Sequence, residues 1–332
     1  MPPTEPARFR PRQHPPPQFP PARPARFSRT PPAIFPPIMG LLGLGLALRH
    51  ASEALDLPAS AAEMLLGAAT ALWLLALFAY GVKVTRRPSV VAEDLRVLPG
   101  RAGLAVVGMS MLLVAAAAVP YAPGLARWVL FGGLALQTVM AGLIIRQLVV
   151  GPPEPREVTP VWHLSYVGFI VGGLAAVPLG LTGLAQALLW GSIPIAAVIW
   201  GISLWQLIRR IPPAPLRPLL AIHLNPAALF ATVAAALGQT GVALGFAALG
   251  ALILLALVAS TRWLTVSGFT PFWGALTFPI AAYASALYAL GLDTTATLVL
   301  IACLAIVPYV AWRIMQAWAV GSLAARTNAA EA

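Results

Sequence analysis

Residues 270–290 read TPFWGALTFPIAAYASALYAL, an apolar run about as long as a helix needs to cross a lipid bilayer. Pro271 lies at its start, and Pro279 follows eight residues later inside the run. Proline lacks a backbone N–H and clashes with the preceding turn, so each proline interrupts or bends a helix. In lipid, the backbone groups freed by such a break need partners from neighbouring protein or water. We therefore expect this segment to lie inside a helical bundle.

The same eight-residue spacing of helix-breaking residues recurs in four other apolar runs. The pairs are Pro32 and Gly40, Gly100 and Gly108, Pro160 and Gly168, and Pro218 and Pro226. A straighter apolar run follows each of these five segments. The spans are predicted at 34–50, 61–82, 102–120, 127–148, 161–181, 184–207, 218–237, 241–261, 272–291 and 295–319. A generic bundle with scattered Pro and Gly is the alternative.

A repeated hairpin accounts for this alternation of interrupted and straight helices. We predict an all-α integral membrane protein of ten transmembrane helices in five helical hairpins. The odd helices are expected to form an inner pore ring and the even helices an outer ring. Gly40, Gly108, Gly168, Pro226 and Pro279 are the predicted kink and pore-lining residues.

Composition supports a membrane protein. The chain is 59% hydrophobic and only 9% charged, whereas an ordinary soluble domain has about 25% charged residues. Outer-membrane barrel strands alternate apolar and polar residues, and these runs are continuous. The single cysteine, Cys303, cannot form an internal disulfide and is expected to be a buried apolar residue.

The distribution of Lys and Arg along the chain predicts its orientation in the membrane. All 21 Lys and Arg residues except Arg49 and Arg127 fall on one side of the ten predicted spans. By the positive-inside rule, both termini lie in the cytoplasm of a multi-pass protein of the bacterial inner (plasma) membrane. The net charge of +11 comes from short loops and the tail, so we predict no nucleic-acid partner.

The chain divides into three predicted regions. Residues 1–33 form a disordered cytoplasmic tail, since twelve of the first 32 residues are proline and six are arginine. This tail lacks the apolar stretch of a signal peptide. Residues 34–320 form the ten-helix channel or transporter domain, and residues 321–332 form a short cytoplasmic tail.

The spans offer little for catalysis. No carboxylate lies in the middle of a span and no histidine pair has metal spacing, so we predict no enzyme activity, no cofactor and no metal site. His163 and His223 lie near the cytoplasmic ends of odd helices. Together with Asn225 they are a possible anion or proton site, the alternative being hydrogen-bonded histidines at a helix interface. Phe278, just before Pro279, is the candidate gate, the alternative being an ordinary packing residue.

Residues 270–290 resemble the ninth helix of the tellurite-resistance/dicarboxylate transporter family, and residues 34–50 and 216–232 resemble its first and seventh helices. The most specific match is W-x-x-x-T-F-P, from Trp273 to Pro279. The resemblance covers residues 34–320 and implies five hairpins around a pore, a homotrimer with one pore per subunit, and Phe278 as the gate. It implies transport of small anions: chloride, nitrate, sulfite or C4-dicarboxylates.

Two other functions remain as alternatives. The first is a proton-coupled carrier for C4-dicarboxylates such as malate, or for tellurite or sulfite efflux, with the histidines relaying protons. The second is a membrane enzyme or assembly scaffold. An enzyme needs a polar cluster at the membrane face, and a scaffold does not need five regularly interrupted helices.

Overall fold

The computed structural model describes residues 25–151 and 157–332, and this part of the chain is helical without any β-strand. Residues 1–24 of the predicted tail, and Arg156 in the basic connection, lie outside the described residues. The α-helices are α1 (Phe35–Ala54), α2 (Ser60–Arg86), α3 (Val90–Arg96), α4 (Leu98–Ala118), α5 (Pro123–Val150), α6 (Gly173–Ala176), α7 (Thr182–Arg209), α8 (Leu224–Ala236), α9 (Thr240–Ala259), α10 (Thr261–Leu264), α11 (Thr277–Ala289), α12 (Asp293–Ala319) and α13 (Ser322–Arg326).

Tighter and wider helical turns lead into four of these helices. The 3-10 segments Pro32–Ile34, Ala214–His223 and Pro271–Leu276 precede α1, α8 and α11. A π-helical turn, His163–Val167, and a 3-10 turn, Gly168–Gly172, precede α6. In a 3-10 turn the backbone hydrogen bonds join residues three apart, and in a π turn they join residues five apart, so the α-helical pattern of four is interrupted.

Within residues 25–151 and 157–332, eight helices are long and apolar enough to cross a membrane, which confirms an all-α multi-pass membrane protein. They are Pro32–Ala54, Ser60–Arg86, Leu98–Ala118, Pro123–Val150, Thr182–Arg209, Ala214–Ala236, Thr240–Ala259 and Asp293–Ala319. Two further apolar segments lie between them. These are His163–Ala176, which is shorter, and residues 271–289, in which the 3-10 turn runs into α11.

The eight helices fall into two classes by burial. In Pro32–Ala54, Leu98–Ala118 and Ala214–Ala236, 78% of the most apolar stretch is buried, whereas the other five helices reach only 17–33%. Most residues of α11 are also buried, and α1 packs against both α4 and α11. The buried helices form a core, and the others present leucine, valine and phenylalanine to the surroundings, as lipid-facing helices do.

The two ends of the described chain meet at one end of the bundle, called here the terminal end; the opposite end is the far end. The Ala332 amide donates to the Ser28 carbonyl at 3.1 Å, and Arg29 pairs with Glu331 at 2.9 Å. Residues 25–33 therefore pack on the helices, with Phe27 edge-on to Phe78, and the folded region begins before the predicted boundary at residue 33. The C-terminal residues are likewise packed and include α13.

A fully buried ion pair secures this meeting point. Lys83 Nζ lies 2.8 Å from Asp94 Oδ2, and both side chains have no exposed surface. Lys83 also donates to the Thr30 carbonyl, and Tyr80 donates to the same Asp94 oxygen. The other carboxylate oxygen accepts the Ala330 amide at 2.8 Å. The pair thus ties both ends of the described chain to α2 and α3, with two acceptors for the Lys83 ammonium and three donors for the Asp94 carboxylate.

We expect Lys83→Met to lower the free energy of unfolding by about 3–5 kcal/mol, because the Asp94 carboxylate would remain buried without its cation. The measurement is thermal unfolding of the purified protein in detergent. Arg87→Met is the matched control, since Arg87 pairs with Glu93 at the surface and such pairs contribute about 0–1 kcal/mol. Equal losses in the two variants would contradict the role given to the buried pair.

Candidate functional site

Two cavities lie along the axis of the buried core. The one nearer the terminal end, called the terminal cavity, has a volume of about 40 Å³. The other, called the far cavity, has a volume of about 260 Å³. Both are lined by the same five stretches of chain: residues 33–53, 99–120, 164–178, 219–236 and 271–285. Among the described residues, none from α2, α5, α7, α9 or α12 lines either cavity. The five stretches correspond to the five odd spans that the sequence analysis predicts to form the inner ring.

Phe278 separates the two cavities. It is the one described residue that lines both of them, and only 4% of its surface is exposed. The residue therefore lies where the two spaces adjoin.

The backbone around Phe278 explains this position. The 3-10 segment ends at Leu276 and α11 begins at Thr277, so Phe278 follows the change in helix type directly. Pro279 is the third residue of α11, a position in the first turn where proline costs no intrahelical hydrogen bond. Thr277 Oγ1 donates to the Gly274 carbonyl at 2.7 Å and so satisfies a group at the break.

Glycines on α1 let α11 approach closely. A Cβ at Gly40 would lie 2.2 Å from Thr277 Oγ1, and a Cβ at Gly43 would lie 2.7 Å from the Phe278 ring. These distances are too short for two non-bonded atoms, so only glycine, which has no Cβ, permits this packing. The interruption predicted at Gly40 is absent, because α1 runs without a break from Phe35 to Ala54.

The same arrangement occurs in the stretch around Pro226. The 3-10 segment Ala214–His223 ends, α8 begins at Leu224, and Pro226 is again the third helical residue. Asn225 therefore takes the place in α8 that Phe278 takes in α11. Asn225 lines the terminal cavity, is 4% exposed, and its Oδ1 has no hydrogen-bond partner among the described residues.

Gln137, which the sequence analysis missed, supports the interrupted segment around Gly168. It is fully buried on α5, and its Nε2 donates to the carbonyls of Leu164 and Ser165 at 2.9 and 3.2 Å. Those carbonyls belong to the π-helical turn, where α-helical bonding is lost. A glutamine in the middle of an apolar run was the available signal.

Gly108 contacts the same glutamine rather than breaking its own helix. A Cβ at Gly108 would lie 2.7 Å from Gln137 Oε1, and α4 continues unbroken from Leu98 to Ala118. The predicted interruption at Gly108 is therefore absent, as at Gly40. Gly168, by contrast, begins the 3-10 turn.

The two predicted histidines meet each other outside the cavities. His163 Nε2 and His223 Nδ1 lie 3.0 Å apart, and the Trp200 indole donates to the His223 carbonyl at 3.1 Å. Neither histidine lines the terminal or the far cavity. The His223 ring instead faces a groove on the outside of the core, bordered by Trp200. Asn225 is the member of the predicted group that reaches a cavity.

Arg101 is a second residue that sequence reasoning missed, having been assigned to a loop. It lies in the first turn of α4, beside Ala102, which lines the terminal cavity. Only 8% of it is exposed, Nη1 is enclosed without a partner, and no carboxylate among the described residues pairs with it. A buried cation without a counter-ion is costly, and Arg101 itself is not among the residues that line the terminal cavity.

The cation at the other cavity is neutralised. Arg49, which lines the far cavity, makes two bonds of 2.7 Å to the Glu63 carboxylate and donates to the Ala117 carbonyl. Arg49 therefore already has its counter-ion, whereas Arg101, whose neighbour Ala102 lines the terminal cavity, has none among the described residues.

Comparison with known proteins gives one match. The SLAC1 family model, described as voltage-dependent anion channel, matches residues 29–319. No curated protein matches the chain. The matched region includes all five stretches that line the two cavities.

We expect Gly40→Ala to lower the unfolding temperature, because the added methyl would overlap Thr277 and force α1 away from α11. A cost of about 1–3 kcal/mol is typical of overpacking. Gly67→Ala on α2 is the matched control, since no atom lies within 4 Å of its added Cβ, and alanine favours the helix there. An equal response of the two variants in thermal unfolding would contradict the close contact.

Proposed function

The chain belongs to the SLAC1 family, the voltage-dependent anion channels, and on that premise we propose that it passes small anions through the two cavities and closes this path with the ring of Phe278. The observation that carries the proposal is the position of Phe278, which alone among the described residues borders both cavities. On this proposal, the ring closes the path where the two cavities adjoin.

The proposed architecture is ten transmembrane helices in five hairpins. The eight long helices, together with His163–Ala176 and residues 271–289, give ten crossings. The odd crossings form an inner ring and the even crossings an outer ring. In support, every described residue that lines either cavity comes from the five odd stretches. An even number of crossings also agrees with the meeting of Ser28 and Ala332 at one end.

The terminal end is assigned to the cytoplasm of a bacterial inner membrane. This assignment rests on the concentration of Lys and Arg at that side of the predicted spans. The family resemblance further suggests a homotrimer with one path in each subunit. The exposed apolar surface of the outer helices leaves room for contacts with both lipid and neighbouring subunits.

Selection for anions is assigned to the terminal cavity and its approach. Arg101 supplies a positive charge without a protein counter-ion, and the Asn225 side chain supplies a polar contact beside the gate. No described carboxylate lines this cavity. An anion entering from the terminal end therefore meets a favourable potential before it reaches Phe278.

The size of the terminal cavity favours small permeant ions. A volume of about 40 Å³ holds only a few water molecules. Small inorganic anions such as chloride and nitrate therefore fit this cavity better than C4-dicarboxylates, which require a larger space. We rank chloride and nitrate first among the expected anions.

We expect Phe278→Ala to raise anion flux about tenfold or more, which corresponds to lowering the barrier by about 1.4 kcal/mol per factor of ten. The measurement is flux in proteoliposomes, with chloride, nitrate, sulfite and malate tested in turn. Phe131→Ala is the matched control, because Phe131 is exposed on α5 and lines neither cavity. Unchanged flux with normal reconstitution would show that Phe278 is not the gate.

The coupled carrier remains the second candidate, and the same liposomes test it. Proton coupling needs a titratable group that the substrate meets on its way, and the paired histidines lie outside both cavities. We therefore propose a passive channel. Flux of one anion that follows an imposed proton gradient, and loses this dependence in His163→Gln or His223→Gln, would favour the carrier.

We expect Arg101→Gln to reduce anion flux and the preference for anions over cations, because it removes the unpaired charge near the terminal cavity. Reversal potentials of Phe278→Ala channels with and without this change measure the preference. Arg101→Lys keeps the charge and should retain most of the preference for anions. Arg146→Gln, an exposed arginine on α5, is the control. Identical reversal potentials for Gln and Arg at position 101 would exclude this residue from selection.

A further inference from the structure

A groove on the outside of the core, separate from the two cavities, lies between α7 and α9 near the terminal end. Its volume is about 380 Å³, and Leu204, Leu220, Ile253 and Leu257 are among its lining residues. Leu204 on one wall is 60% exposed. In a membrane, this side of the bundle faces lipid, so an apolar chain has access to the groove.

Arginines lie beside the terminal end of the groove, although none is among its lining residues. Arg217 stacks on the Trp263 ring at 4.4 Å and donates to the Trp263 carbonyl at 3.2 Å, and Trp263 itself lines the groove. Arg262 is the neighbouring residue and is exposed, and Arg209 lies at the end of α7. None of these three arginines pairs with a carboxylate in residues 25–151 and 157–332.

The lining of the groove also includes a histidine ring. The His223 ring lines it, and because Nδ1 faces His163 at 3.0 Å, Nε2 is left without a protein partner in the described chain. Ser203 and Ser260 are the other non-aromatic polar residues of the lining. The site therefore combines an apolar wall, a ring nitrogen and a cationic rim.

We propose that this groove binds an anionic phospholipid, with an acyl chain between α7 and α9 and the phosphate at Arg217 and Arg262. Basic pockets between transmembrane helices at the membrane surface are suited to anionic head groups. The apolar wall takes the chain, and the unpaired arginines take the charge. A zwitterionic lipid fits the wall equally well but gains less at the rim.

The test is native mass spectrometry of the purified full-length chain with added phosphatidylglycerol or phosphatidylcholine of identical acyl chains. We expect the wild type to retain phosphatidylglycerol with a preference of about tenfold, as expected from arginines at a charged surface. Arg217→Gln with Arg262→Gln should reduce this preference toward equality. Arg146→Gln, an exposed arginine on α5, should leave it unchanged.

A second pair of variants tests the groove itself. Ala256→Trp should fill the groove and reduce retention of the lipid severalfold. Val139→Trp, on the exposed face of α5, should not. Equal retention of the two lipids by the wild type, or full retention by Ala256→Trp, would overturn the proposal. A change of oligomeric state in Ala256→Trp without bound lipid in the wild type would also overturn it, by showing that a second copy covers this face.

Discussion

Every backbone amide and carbonyl inside a bilayer needs a hydrogen-bond partner, because no water is present to replace a lost one. In this protein the α-helical pattern gives way to other turns at residues 163–172, 214–223 and 271–276. Each of these turns packs against neighbouring segments of the bundle, and three side chains supply hydrogen bonds to them. Gln137 donates to the turn at Leu164, Trp200 to the His223 carbonyl, and Thr277 to the Gly274 carbonyl. The outer helices run without such turns, and so do α1 and α4 within the core.

This arrangement determines what meets at the centre. A change of helix type followed by a proline in the first turn places Phe278 and Asn225 at equivalent positions of two different segments. One contributes an aromatic ring that borders both cavities, and the other contributes an amide to the terminal cavity. Arg101 adds a buried positive charge that has no carboxylate partner among the described residues. Burial of such a charge is costly, so the core carries a cost that an entirely apolar bundle would avoid.

The sequence predicts the main features of this core but not the contacts that hold it. Regular Pro and Gly spacing identified the buried segments, and Pro279 pointed to Phe278, because proline acts locally and its effect can be read along the chain. Glycine is less specific, since it permits either a break or a close contact. That ambiguity explains why Gly40 and Gly108 are contact points rather than interruptions. Bonds such as Gln137 with Leu164, 27 residues apart, or His163 with His223, 60 residues apart, depend on tertiary packing that no local pattern encodes.

The separation of lining residues from outer helices has a consequence for how such a protein changes over evolutionary time. Among the described residues, the outer helices contribute nothing to the walls of either cavity. Substitutions on their exposed faces can therefore accumulate under selection by the surrounding membrane alone. The inner segments are constrained instead by one another, through contacts that leave no space for a methyl group. The two parts of the chain are thus under different constraints. The exposed faces of the outer helices can change while the residues that line the two cavities are kept.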